Sequence, residues 1–252
     1  MKNFLEIHDL KLVYHTKTNE TPALNGVSFN VDKGEFVSII GPSGCGKTSV
    51  LSLIAGLIKK SGGKITLCGN VLDKPNKKIG YMLQKDHLFE WRTIEENLYL
   101  PLEITKTKTP ENIEYIKNLL SKYKLDGFDK YYPSQLSGGM RQRVALIRTL
   151  ATKPDLLLLD EPFSALDYQT RLEVCDDVYS IIRQEKKTAI LVTHDITESI
   201  SLSDKIVVLT ERPSKVKKIF LTDFDKSIPP IKRRETASFS AWFETLYKEL
   251  KV

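Results

Sequence analysis

The stretch GPSGCGKT, Gly41 to Thr48, follows the apolar run GEFVSII and leads into KTSVLSLIAGLI. It matches the spacing G-x-x-x-x-G-K-[ST] in the one context where that spacing has a mechanism, between a buried strand and a helix. Glycines let backbone N–H groups wrap a phosphate, and the helix N-terminus adds positive dipole. Gly41, Pro42, Ser43, Gly44, Cys45, Gly46, Lys47, Thr48 and Ser49 are therefore expected to hold nucleotide phosphates. Lys47 would reach the β- and γ-oxygens, and Thr48 would offer its hydroxyl to Mg²⁺. A lysine nitrogen about 4 Å from a phosphate charge gains roughly 4 kcal/mol per unit charge at an effective dielectric near 20.

The remaining pattern assigns a fold class to that loop. FLEIHDLKLVY, LNGVSFNV, KITLCG and KIGYMLQ read as strands, and Val50, Leu51, Ile54, Leu57 and Ile58 as the apolar face of the helix after the loop. From about Asp86 to Ala151, IEENLYLPLEI, ENIEYIKNLLSKY and RQRVALIRTLA all read as helices. DLLLLDEP, TAILVTH and KIVVLT then return as buried parallel strands, with QTRLEVCDDVYSIIRQEKK as a crossover helix. The expectation is an α/β nucleotide-binding core, mainly parallel, with an N-terminal antiparallel β subdomain and a helical subdomain inserted at about 86–151. The main domain would run over 1–212. An extension over 213–252 would hold an edge strand in RPSKVKKIFL, a basic loop in SIPPIKRRE and a terminal amphipathic helix in ASFSAWFETLYKEL.

Two strand ends carry further candidates. LLLLDEP delivers Asp160 and Glu161 at the carboxyl end of a strand, where parallel sheets place ligands. Asp160 is expected to hold Mg²⁺ or its water, and Glu161 to position or deprotonate attacking water. Taken alone, the pair would serve equally as a cap or an ion pair. ILVTHD sets His194 beyond the next apolar strand, facing the same phosphate, although a lone histidine there also fits a structural role. YMLQ puts Gln84 at the junction with the helical subdomain, where an amide can touch Mg²⁺ or water when the two parts close together, although by itself it also fits a surface turn. A second Ser-Gly-Gly turn, at QLSGGMRQR, opens another helix. Ser137 can cap that helix, and Gly138 and Gly139 permit close approach of an anion.

These motifs, in this order, make residues 1 to 210 resemble the ATP-binding subunits of ABC transporters. The likeness rests on Gly41 to Thr48, Gln84, LSGGM at Leu136 to Met140, Asp160 with Glu161, SALD at Ser164 to Asp167, and His194. The resemblance implies ATP and Mg²⁺ as cofactors, with Thr48, Gln84 and Asp160 at the metal and Glu161, His194, Lys47 and Gln84 in catalysis. It places Tyr14 against the adenine, a position a core tyrosine would also fill. It further implies a head-to-tail dimer in which Ser137, Gly138, Gly139 and Met140 grip the ATP of a second copy. Ser164, Ala165, Leu166 and Asp167 would form the interface loop of that dimer.

Within the family, LSGGMRQR with its methionine Met140, THDITESISLSDKIVVL and the following RP at Arg212 and Pro213 most resemble importer subunits for nitrate, sulfonate, taurine and bicarbonate, with thiamine-precursor and riboflavin importers, which share these features, as an alternative. That group works with two integral-membrane permeases and, indirectly, an extracytoplasmic solute-binding protein. The segment around Lys85 to Leu102, including Trp91, would receive the permease. Glu90 departs from the proline usual in the group.

Composition is consistent with such a chain. No run of about 20 apolar residues is present, and the resemblance implies a peripheral place on the cytoplasmic face of the membrane. Three cysteines, odd in number and unevenly spaced, suggest neither a disulfide framework nor a zinc site. The net charge of +6, partly from RPSKVKKIF and IKRRE, fits a solvated basic surface or contact with anionic lipid or an acidic partner. Nucleic acid is not expected as a partner. A soluble ABC-type ATPase acting on nucleic acid or ribosomes is the rival reading, and the coiled coil or tandem cassette usual in such chains is missing.

Overall fold

The computed structural model describes residues 2–15 and 19–250. Two sheets divide the strands. Strands β1 (Leu5–His15), β2 (Glu20–Val31), β4 (Gly62–Leu67) and β5 (Asn70–Val71) form an antiparallel sheet in the order β2-β1-β4-β5. A six-stranded sheet contains β3 (Phe36–Ile40), β6 (Ile79–Met82), β7 (Leu156–Asp160), β8 (Thr188–Val192), β9 (Lys205–Leu209) and β10 (Val216–Leu221). Its order is β10-β9-β3-β8-β7-β6, parallel throughout except for the antiparallel edge strand β10. Every residue of β3, β7, β8 and β9 is buried. Near-continuous apolar runs, here with Ser38 buried inside β3, rather than alternating ones, are what a sheet covered on both faces requires.

Helix α1 (Lys47–Ile54) packs under the sheet against the antiparallel strands, burying Val50, Leu51 and Ile54 with Leu156, Leu158, Ile190 and Val192. It is shorter than its apolar pattern predicts. Gly56, at φ +72°, ends it, and a Cβ there would lie 2.5 Å from the Lys74 backbone. Past that turn the chain leaves the helical face, so Leu57 is 60% exposed instead of buried.

The helical subdomain comprises α2 (Ile94–Ile104), α3 (Pro110–Lys122) and α4 (Gly138–Leu150). Its starts are locally encoded. Thr93 and Glu96 form a capping box on α2, and Thr109 caps α3 ahead of a proline at its first position. Leu98, Leu102, Ile116, Leu119, Leu146 and Leu150 close a core with α5 (Tyr168–Gln184) through Val174, Val178 and Ile182.

After β8 a short helix α6 (Ile196–Leu202) returns the chain to β9. The C-terminal segment packs on this side. α8 (Ala237–Leu250) covers α6 and β10 through Phe239, Leu246 and Trp242, and residues 251–252 lie outside the described residues. The stretch expected as a basic loop contains instead a short helix, α7 (Pro230–Arg233), with Arg233 only 1% exposed. Its guanidinium donates to the carbonyls of Ile228, Ser201 and Asp225 and to the Tyr179 hydroxyl, and lies 4.7 Å from the Tyr179 ring centroid. A buried cation persists when its donors are used and aromatic faces surround it. That charge therefore belongs to the interior and not to a basic surface.

Candidate active site

The loop between β3 and α1 is shaped by glycines at two positive dihedrals, Gly44 at φ +74° and Gly46 at φ +104°. No side chain caps α1, whose N-cap is Gly46. Its first N–H groups are thus left to the loop, and such an uncapped terminus is suited to an anion. Lys47, 7% exposed, folds back so that Nζ donates to the carbonyls of Gly41 at 2.9 Å and Pro42 at 3.1 Å. Cys45 is buried in the same loop, and burial pushes its thiol up against the lowering effect of Lys47. Tyr14, on β1, meets this helix start with its hydroxyl 2.9 Å from Ser49 Oγ.

Strand β7 brings the carboxylates alongside. Thr48 Oγ1 donates to Asp160 Oδ1 at 3.0 Å, and the Tyr81 hydroxyl donates to Asp160 Oδ2 at 3.1 Å. Burial raises the Asp160 carboxyl above its ordinary value, while the hydrogen bonds from Thr48 and Tyr81 pull it down. Burial and then the Asp160 charge drive the Tyr81 phenol upward, so it remains a donor. Glu161 leaves the strand with a left-handed backbone, φ +45°, and its N–H donates to Val192 O at 2.9 Å. A non-glycine residue held in that region marks a place where the surroundings impose the conformation.

The kink presents Glu161 to two other loops. Glu161 Oε2 lies 3.2 Å from His194 Nδ1 and accepts from Gln84 Nε2 at 3.4 Å. Glu161, Lys47, Thr48, Ser49 and the Gly44 region line one open cavity of about 230 Å³. Two participants were not among the expected site residues. Tyr81 sits 79 positions from Asp160 in an apolar strand, where its hydroxyl is the only polar signal. Arg212, 168 positions from Gly44, donates from Nη2 to the Gly44 carbonyl at 2.7 Å. The arrangement can hold an anion on the loop, a cation between hydroxyl and carboxylate, and a water against Glu161.

LSGG stands apart from this cavity, and none of Leu136 to Met140 lines it. Ser137 caps α4 by accepting from Met140 N at 3.3 Å, and both Ser137 and Gly138 are exposed. Gly139 has a reason inside the chain: a Cβ there would meet Thr170 Cγ2 at 2.9 Å and Val174 Cγ2 at 3.1 Å, where α4 crosses α5. Met140 is partly buried against the same core. In the Ser164 to Asp167 turn, Ser164 Oγ donates to Glu161 O at 3.1 Å, Asp167 caps α5, and Leu166 is buried. Arg141 of α4 binds Asp86 at 2.8 Å and Glu90 at 2.8 Å, so the segment after Gln84 is tied to the start of α4. Beside it, Trp91 is 74% exposed.

Comparison with known proteins identifies the family and the fold. A family model described as ABC transporter matches residues 24–164. The chain is 45% identical to an uncharacterized ABC transporter ATP-binding protein, YtlC, of Bacillus subtilis, over 98% of this chain and 96% of that protein. It is 39% identical to the aliphatic sulfonates import ATP-binding protein SsuB of Bacillus cereus, over 93% of this chain and 91% of the relative. Among solved structures, it is similar to the ATP-binding cassette MJ0796 in a dimeric post-hydrolysis state bound to ADP and Pi, with TM-score 0.74 and 30% identity over 88% of this chain and 100% of that one. Among the described residues, no helix is long and apolar enough to cross a membrane. The chain belongs to the ABC transporter family and is the ATP-hydrolysing, nucleotide-binding subunit of a transporter.

Proposed function

We propose that the loops around the 230 Å³ cavity form half of an ATP site, completed by Ser137, Gly138 and Gly139 of a second copy, and that the dimer powers import of a small anion. The observation that carries this reading is the shared Glu161 oxygen. Gln84 and His194 both reach it beside the uncapped helix, while the exposed start of α4 serves nothing in its own chain's cavity. Glu161 orients or deprotonates the attacking water, His194 and Gln84 hold that carboxylate in place, and Lys47 turns from its loop carbonyls to the phosphates. Tyr14 stacks on the adenine, and Ser164 to Asp167 pack at the dimer interface. The dimeric relative bound to ADP and Pi supports the pairing.

The Thr48 hydroxyl and the Asp160 carboxylate, 3.0 Å apart, are an all-oxygen pair suited to Mg²⁺. Those two residues would hold the ion, with Gln84 approaching it. When bound, Mg²⁺ neutralises charge on the β- and γ-phosphates.

Relatives named as aliphatic sulfonate importers support a sulfonate or similar small anion as cargo. Two permease subunits, fed by an extracytoplasmic binding protein, would dock on the segment around Lys85 to Leu102, in which Trp91 is exposed, with the chain held at the cytoplasmic face of the membrane. Mixing Lys47→Ala chains with Gly138→Asp chains tests the shared site. One site of the mixed dimer then has both defects and the other neither, so ATPase activity should reappear on mixing; no recovery would sink the pairing. For the cargo, a deletion strain should lose growth on aliphatic sulfonates as sole sulfur source and keep growth on sulfate. Unchanged growth on sulfonates would refute that cargo.

A further inference from the structure

Arg212 occupies the turn between β9 and β10, outside every motif of the site. Its guanidinium reaches back to the phosphate loop, donating from Nη2 to Gly44 O at 2.7 Å. The same side chain lines the cavity shared by Ser43, Lys47, Thr48 and Glu161. Only one of its donors is used among the described residues, and the residue is exposed at the cavity rim. Guanidinium presents five N–H groups in a fixed fork that matches phosphate oxygens.

A triphosphate brings more negative charge to this cavity than Lys47 and a bound Mg²⁺ together offset, and Glu161 adds another negative charge to its lining. From these positions we infer that Arg212 is a second phosphate-contacting cation, one that meets the γ-phosphate. The inference rests on the assignment of the cavity to ATP. Its choice of phosphate follows from the lining: Arg212 shares the cavity with Glu161, the residue set against the γ-phosphate, whereas Tyr14, set against the base, does not line it. The hydrogen bond to Gly44 O anchors the fork at the loop and leaves its remaining donors for the ligand.

The test is titration calorimetry on the full chain with Mg²⁺, using ADP and a non-hydrolysable triphosphate, AMP-PNP. Arg212→Gln should weaken AMP-PNP binding by roughly tenfold, the scale of one charge-assisted hydrogen bond in a solvated site. ADP binding should stay within about twofold, and that binding certifies that the variant's loop is folded. Arg212→Lys, which keeps the charge, should recover most of the AMP-PNP affinity. An equal loss for both nucleotides would mean that the guanidinium only braces Gly44, and no loss for either would mean that it touches no phosphate. Either result overturns the inference alone. Failure of the wild-type chain to bind both nucleotides would overturn the ATP assignment, and the inference with it.

Discussion

Replacing Glu198 by glutamine should raise stability relative to the unmodified chain progressively as pH climbs from 4.5 to about 7, on top of an offset that is the same at every pH. Glu198 lies in the first turn of α6, just past His194, and is 4% exposed. Thr193 donates its hydroxyl to Glu198 Oε2 at 2.5 Å, and Asp195 N–H donates to the same hydroxyl at 3.0 Å. The carboxyl thus braces the loop that carries His194. Burial pushes it from 4.5 up to about 7 against the Thr193 hydrogen bond; Asp195 adds to the rise, and Arg171 and His194 oppose it. Because the folded state holds this proton more tightly than the unfolded chain, folding stability falls as pH climbs from 4.5 to about 7 and is then level. At about 1.4 kcal/mol per unit, the cost above pH 7 is about 3 kcal/mol.

Glutamine carries no charge and keeps an acceptor for Thr193, so the variant avoids that cost. Its amide N–H groups add a penalty that does not depend on pH, and only the slope is diagnostic. Urea unfolding followed by far-UV circular dichroism at steps between pH 4.5 and 8 should show the stability difference growing by about 3 kcal/mol in favour of the variant. In thermal melts the same gain is roughly 8 °C for a chain of this size. A difference that stays flat across the range would refute the buried, proton-holding state of Glu198.

Glu161→Gln should keep nucleotide binding while ATPase turnover falls by about 10² to 10⁴, with a nucleotide-bound dimer accumulating in size-exclusion chromatography; a wild-type rate would remove Glu161 from the chemistry. For His194→Ala, slow turnover at nearly unchanged ATP affinity is expected, since its ring touches Glu161 and not the phosphate loop. A normal rate would return His194 to a structural role. Gly80→Ala places a Cβ 2.7 Å from Thr149 Cγ2 and 3.0 Å from Pro154 Cγ, an overpacking expected to cost about 2 kcal/mol. Urea midpoints would report it, and an unchanged midpoint would show that β6 can shift away from α4.

Much of the site was legible because its parts are local. The phosphate loop is contiguous, and Asp160, Glu161 and His194 mark strand ends that apolar runs delimit without any knowledge of their neighbours. Helix starts such as Thr93 with Glu96 are written within one turn. Leu57 went astray for an equally local reason, since helical periodicity continues through Gly56 in sequence while the backbone does not.

The sequence by itself determined which chemical groups this chain carries and the order in which strands deliver them. Tertiary structure alone decided which distant groups meet. It set Tyr81 on Asp160 and Arg212 on Gly44, and it drew Arg233 out of an apparently basic loop into the interior. It also turned Gly139 toward Thr170 and Val174, so that one glycine of LSGG is required by the packing of α4 on α5. The physical reason is range: hydrogen-bonded turns and apolar periodicity act over a few residues, whereas burial and close packing depend on which surfaces the whole chain brings together.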